Sequence, residues 1–247
     1  MTNERIIEAA SAFKTDAKRL FEDAVAALIA LAFRYSKFGV NFLWDSDPVL
    51  DRECNAILRD LSESLARKAR EKASAIIEEE GWEDWEDEAL EAAEGEGENG
   101  ILWRFDMAGS HLRELLEIWV ALAFAEKMTP AYLKILVLRY INNPYASPLW
   151  SRLPAGLLKW GRGYQKDLIA QIVLIGQDGI VDAVRRAEWL DAMERGAAYW
   201  IWRRGSNYDC PECEENKGRV FPMDVPFDTL HPRCLCYPEY HFEPMEI

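Results

Sequence analysis

Apolar residues recur at three- and four-residue steps along most of this chain, and that period predicts helices. From 3 to 36, Ile6, Ala10, Phe13, Ala17, Leu20, Ala24, Leu28 and Leu31 form one stripe. "KFGVNFLWDSDP" interrupts it. Asp47 then stands as an N-cap with Pro48 at the first helical position. The second helix is predicted to run to about Glu80, with Leu50, Cys54, Ile57, Leu61, Leu65 and Ile76 on its stripe. Cys54 lies on the apolar face and reads as a core residue. A third helix is predicted over about 106–127, carrying Leu112, Leu115, Trp119 and Leu122. Thr129 caps the next, with Pro130 in its first turn. "NNPYASPLW" at 142–150 reads as a turn.

"KDLIAQIVLIGQDG" at 166–179 has a period that fits a buried strand or a buried helix. Its helical neighbours favour helix. From Ile180 a clearer helix is predicted to about Trp202. Ile180, Val184, Ala187, Leu190, Met193, Ala197 and Trp200 face inward, and Arg185, Arg186, Glu188 and Asp191 face outward. His111 sits among helical residues with no second His or Cys near it, which favours a structural role. No repeat of 20–50 residues is present.

The stretch "EEEGWEDWEDEALEAAEGEGENG" at 78–100 breaks the pattern. It reads as a charged spacer with a Gly-rich end. The sharper alternative is an acidic tether for a basic partner, anchored by Trp82 and Trp85. The net charge of −14 is concentrated here. Residues 78–98 hold twelve Asp or Glu and no Lys or Arg, leaving 29 basic against 31 acidic residues elsewhere. Such a balance argues against sequence-independent duplex binding, which needs Lys and Arg to replace phosphate counterions.

The 247 residues are 49% hydrophobic and include ten tryptophans, enough for a substantial core. The N-terminus "MTNERIIEAASAF" lacks the basic start and continuous apolar run of a secretory signal. The longest apolar stretch, "AVAALIALAF" at 24–33, is about half a bilayer span. The expectation is a soluble chain made in a reducing cytoplasm, where clustered thiols are more often metal ligands than disulfides.

Four of the five cysteines fall between positions 210 and 236. Cys210 and Cys213 form C-x-x-C, a spacing that aims two sulfurs at one point. His231, Cys234 and Cys236 follow in "HPRCLC". Two ligand pairs separated by a loop frame a structural Zn²⁺ site. Zinc takes four ligands, and Cys210, Cys213, His231, Cys234 and Cys236 offer five. Cys234 and Cys236 can point the same way on a short strand, or His231 and Cys234 can converge across a turn. Residues 205–247 carry Gly205, Gly218 and several prolines but little apolar period. A segment of this kind buries too little to fold alone, and structural zinc supplies on the order of 10–16 kcal/mol in small fingers. Disulfides, or thiols packed without metal, are the competing readings.

Catalytic chemistry has little support. Zinc deaminases place H-x-E before P-C-x-x-C, whereas the H-x-E here, His241-Phe242-Glu243, follows the cysteines. A catalytic metal also keeps an open position beside a base. "GRG" at 161–163 lacks the flanks of a phosphate loop, no G-x-S-x-G elbow occurs, and the three histidines adjoin no nucleophile. No catalytic or cofactor-binding residue is assigned.

The tail resembles the C-terminal region of the phage Mu F-like, or head morphogenesis, family of minor capsid proteins. The matching residues are Arg186, Glu188, Trp202, Asp209, Cys210, Cys213, Gly218, Val220, Phe221, Pro226, His231, Pro232, Cys234 and Cys236. Leu235 stands where that family usually has Arg, and Asp228 to Leu230 replace its proline-rich approach to His. The likeness covers about 180–240. It implies a Trp-bearing strand after the helix, then a hairpin and a closing Cys/His stretch. It also implies a virion component at the portal vertex or capsid interior, assembled in the host cytoplasm. Expected partners are portal, capsid or scaffold proteins, with weak contact to packaged DNA and none with membrane. Proteins of that family can be joined to toxin domains, so an effector enzyme such as an ADP-ribosyltransferase-type toxin is the alternative.

The expected fold is therefore mainly α: a multi-helix body with a small C-terminal β-hairpin module held by zinc. Its segments are a helical hairpin at 1–77, the acidic linker at 78–100, a helical body at 101–204 and the Cys/His module at 205–247. All four are compatible with one domain of the family. Exposed Trp103, Trp200 or Trp202 are interface candidates, although core packing is the commoner fate of a tryptophan.

Overall fold

The computed structural model describes residues 2–95, 100–142, 168–205, 210–230 and 234–244. The predicted turn from 143 onward, the "GRG" at 161–163, Asp209, His231 and Pro232 lie outside the described residues. The fold is mainly α with a small antiparallel sheet near the C-terminus. Helices α1 (Thr2–Arg34), α2 (Pro48–Glu80), α3 (Glu86–Glu94), α4 (Ile101–Ala125), α5 (Pro130–Asn142) and α6 (Leu168–Glu194) precede β1 (Tyr199–Arg203). The short α7 (Pro211–Asn216), β2 (Val220–Pro222) and β3 (Tyr237–His241) complete it. Among the described residues no helix is long and apolar enough to cross a membrane.

The first two helices form where the periodicity places them. Asp47 caps α2: its Oδ1 accepts the amides of Val49 at 2.9 Å and Leu50 at 3.3 Å. These amides, Val49 first, hold the Asp47 carboxyl below its ordinary range. Two stripe positions shift by one residue. Phe21 and Leu58 are buried, while Leu20 and Ile57 are only half-buried. Four-residue steps from Ala17 and Cys54 stay closer to the 3.6-residue turn than the assumed three-residue steps do. Thr129 caps α5 by accepting the Tyr132 amide at 3.2 Å, and α4 starts at Ile101 rather than near 106.

Residues 168–194 settle as one helix, but the predicted extension to Trp202 is wrong. Gly196 adopts φ 81°, a left-handed turn that glycine enters without strain. The Gly196 amide donates to Met193 O at 3.0 Å and the Ala197 amide to Ala192 O at 2.9 Å. This pair of bonds is a Schellman stop. Beyond it Trp200 and Trp202 are buried while Tyr199, Ile201 and Arg203 are half-exposed, the alternation of a strand. Trp200 satisfied the helical period only because its spacing suits both patterns.

Arg185 is a second correction. It is 2% exposed rather than facing outward. Its Nη1 donates to Glu188 at 2.6 Å, and its Nη2 donates to Asn3 Oδ1. A buried guanidinium is tolerated because these groups pair it.

The acidic segment is not a plain spacer in its described part. Residues Glu83–Trp85 form a 3₁₀ turn and Glu86–Glu94 form α3, with Ala89 and Leu90 buried. Arg70 pairs with Glu94 at 2.7 Å, and Arg186 with Glu88 at 3.1 Å. Two apolar residues a helical step from polar ones suffice to dock a charged helix; charge density alone had concealed them.

The chain divides into two compact units that do not follow the sequential segments expected above. One comprises Met1–Phe13, Arg67–Ile101 and Leu174–Ile247. The other comprises Lys14–Ala66 and Leu102–Val173. Inside the second, Trp44 donates its indole N–H to Arg113 O at 2.9 Å, and Arg113 reaches Asp51 and Asn55, each at 2.6 Å. Trp119 packs edge-on to Tyr140 with centroids 4.7 Å apart. Cys54 is buried here, as expected, and burial pushes its thiol up to about 12. His111 is mostly buried near Glu114, and burial lowers its pKa to about 4.

The first unit carries the sheet, in the order β2-β1-β3, antiparallel throughout. The expected hairpin thus gains a third strand. Trp200 lies opposite Phe221 on one side and Tyr240 on the other. Trp200 and Phe221 stack at 4.2 Å, and Phe227 closes on Trp202 at 4.7 Å. Trp200 also donates to Val225 O at 2.8 Å. Of the three interface candidates, these two tryptophans are core residues, and Trp103 is 40% exposed.

Candidate metal centre

Beneath the two tryptophans the module closes on sulfur. Cys210, Cys213, Cys234 and Cys236 share one buried cluster with Trp200, Trp202 and Phe227. Cys213 lies on α7, which begins at Pro211 directly after Cys210. Cys234 and Cys236 occupy the stretch just before β3. Both approach Cys213, as alternating side chains on a strand would.

The sulfurs of Cys213, Cys234 and Cys236 all lie within 4.8 Å of one another. Cys213 and Cys234 are 2% exposed and Cys236 0%. The Cys213 and Cys234 sulfurs are 3.8 Å apart, and all five cysteines are free. A disulfide requires about 2.05 Å. A tetrahedral Zn²⁺ with bonds of about 2.3 Å sets its sulfurs about 3.8 Å apart. The observed separation therefore matches coordination and not a covalent bridge. Of the five predicted ligands, the structure brings three into mutual metal-binding distance, places Cys210 in the same cluster, and leaves His231 outside the described residues.

As bare thiols the three compete for one charge. Hydrogen bonding from Cys234, against the cost of burial, lowers Cys236 to about 5. Burial pushes Cys213 up to about 12. Cys234 is also raised, chiefly by its bond to Cys236. The three sulfurs therefore titrate as one coupled group. A bound divalent cation favours deprotonation of all three.

The shell around the sulfurs supplies donors that the sequence did not single out. The Gly205 amide bonds Cys236, and the amides of Cys236 and Leu230 bond Cys234. The buried Trp202 indole N–H lies near Cys236 with no hydrogen-bond partner in place. The Arg204 guanidinium lies within electrostatic reach of Cys213 and Cys236 while pairing with Glu214. Donors of this kind orient and stabilise thiolate ligands. Gly205 is glycine for a steric reason. A Cβ there would stand 1.6 Å from the carbonyl oxygen of Leu235. "WRRG" five residues before Cys210 was the available signal, but nothing local in it says that the chain doubles back against Leu235.

The same unit has a cavity of about 560 Å³ lined in part by Trp82, Arg185, Glu188, Asp191, Tyr237 and Tyr240. Its charges are already matched. Arg185 pairs with Glu188 at 2.6 Å and Arg195 with Asp191 at 3.1 Å. Burial raises Glu188 even so. The pairing leaves this cleft polar with matched charges.

No protein-family model, curated protein or solved structure matches the chain.

Proposed function

We propose that the chain is a structural minor head protein of a tailed phage or prophage, with a C-terminal docking knob closed by Zn²⁺. The observation that carries the metal part is the convergence of Cys213, Cys234 and Cys236 as free, buried sulfurs at coordination distance. Thiolates in a small tetrahedral cage favour zinc over hard cations. A centre surrounded by aromatic rings and shut off from water is structural rather than catalytic.

The head-protein part is supported by the order of elements. A helix with Arg186 and Glu188 leads into a strand with Trp202. A C-x-x-C turn, the strand Val220–Pro222 and the closing cysteines follow. This is the order the family resemblance implies. The module suits such a role physically. A metal-closed sheet holds a rigid docking surface with little interior, where a larger assembly supplies the remaining contacts.

Metal analysis of the purified chain should find about one zinc per molecule. Co-expression with the portal and capsid proteins of a phage that carries it should place the chain in sedimenting head particles, in few copies. Particles that assemble without it, under conditions where it is soluble and zinc-loaded, would remove the head-protein reading and leave the metal centre standing.

A further inference from the structure

We propose that Cys210 is the fourth ligand, so that the centre is a tetrathiolate; this rests on the zinc reading above. Cys210 is 6% exposed and belongs to the same buried cluster as the other three sulfurs. It stands three residues before Cys213 across the first turn of α7, with its thiol beside that of Cys213. An N-cap side chain lies beside the third helical position, which is where Cys213 stands. Cys210 occupies the N-cap position, yet its side chain makes no capping bond. Its sulfur is therefore not committed to the helix start. The three mutually close sulfurs do not include that of Cys210. The proposal requires a change of the Cys210 rotamer to bring its sulfur to the other three.

Charge favours the same assignment. Four thiolates around Zn²⁺ carry a net charge of about −2, against about −1 for three thiolates and an imidazole. Buried negative charge needs donors and a counter-cation. The cluster has both: the amides of Gly205, Leu230 and Cys236, the Trp202 indole, and the Arg204 guanidinium near two of the sulfurs. The nearby carboxylate shares this cation and a lysine. Glu214 pairs with Arg204 and with Lys217, the latter at 3.2 Å.

The test replaces zinc by Co²⁺ in the full-length chain and reads the near-ultraviolet thiolate-to-cobalt charge transfer beside metal content. Wild type should show a four-sulfur spectrum. Cys210→Ser should lose about a quarter of the charge-transfer intensity, one thiolate in four, and His231→Ala should leave it unchanged. The reverse result, a shift with His231→Ala and none with Cys210→Ser, overturns the assignment while keeping the metal. A wild type that takes up neither Zn²⁺ nor Co²⁺ overturns both. Because Cys210→Ser can fail to fold, X-ray absorption on the zinc-loaded wild type counts the scatterers independently. Four sulfurs support the proposal; three sulfurs and one nitrogen refute it.

Discussion

The unit built from Lys14–Ala66 and Leu102–Val173 and the module from Tyr199 to His241 solve the same problem by different means. The helical unit buries a long series of aliphatic and aromatic residues, among them Phe21, Leu28, Trp44, Leu112 and Trp119. Its single cysteine, Cys54, behaves as one more apolar group. The module buries two tryptophans and one phenylalanine, and the rest of its centre is sulfur. Apolar area of that size does not offset the entropy of ordering so many residues. Cysteine thus has opposite roles in the two regions. In one it is a packing residue held by neighbours; in the other, on the proposed zinc reading, it holds the neighbours in place.

The comparison breaks most sharply on metal removal. Chelation, or Cys236→Ser, should unfold β1 to β3 while the helical circular dichroism changes little, because structural zinc contributes on the order of 10–16 kcal/mol to small modules. Hydrogen exchange should lose protection at Trp200–Trp202 and at Tyr237–His241 and keep it in α1 and α2. Cys54→Ala should leave metal content unchanged. If chelation leaves the sheet amides protected, the aromatic cluster alone is sufficient and the contrast disappears.

The converse substitution is Phe21→Ala in the helical unit. It should cost about 3–5 kcal/mol by denaturant titration, with metal stoichiometry intact. Gly205→Ala should cost about 3 kcal/mol, because a Cβ there meets backbone and not a movable side chain. It should also weaken metal binding, since the Gly205 amide bonds Cys236. A variant with wild-type stability and affinity would show that the chain at Gly205 shifts without consequence.

His111 gives the smallest effect. Burial lowers its pKa from 6.5 to about 4. Between those values the unfolded chain binds a proton that the folded chain does not. This group's contribution is therefore full above pH 6.5, lost as pH falls toward about 4, and constant below that. The loss should be about 1–3 kcal/mol. It should be visible as a difference in pH dependence between wild type and His111→Gln, followed by helical circular dichroism. Parallel pH curves for the two proteins would show that His111 takes up its proton equally easily in both states.

Periodicity and caps were legible because they are local. Asp47, Thr129 and the stripes of α1, α2 and α4 are determined by bonds and spacings within one or two turns. The C-x-x-C pair and "CLC" identified the sulfurs, and three of the predicted ligands meet. Other features depended on distant partners. Arg185 reads as a surface residue until Asn3 and Glu188 pair it. Trp200 fits a helix until Gly196 stops α6 and Phe221 stacks on it. Residues 86–94 read as spacer until Ala89 and Leu90 are seen buried.

Sequence alone determined that this chain is mainly helical, where α2 and α5 are capped, and which sulfurs are candidates for one cluster, since each follows from residue type at short separation. Only the tertiary structure decided that the cluster sits beneath a three-stranded sheet, that Gly205, Trp202 and Arg204 surround it, and that a buried arginine is paired. Those features depend on which remote segments meet, and contacts across long stretches of chain leave no period in the residues between them.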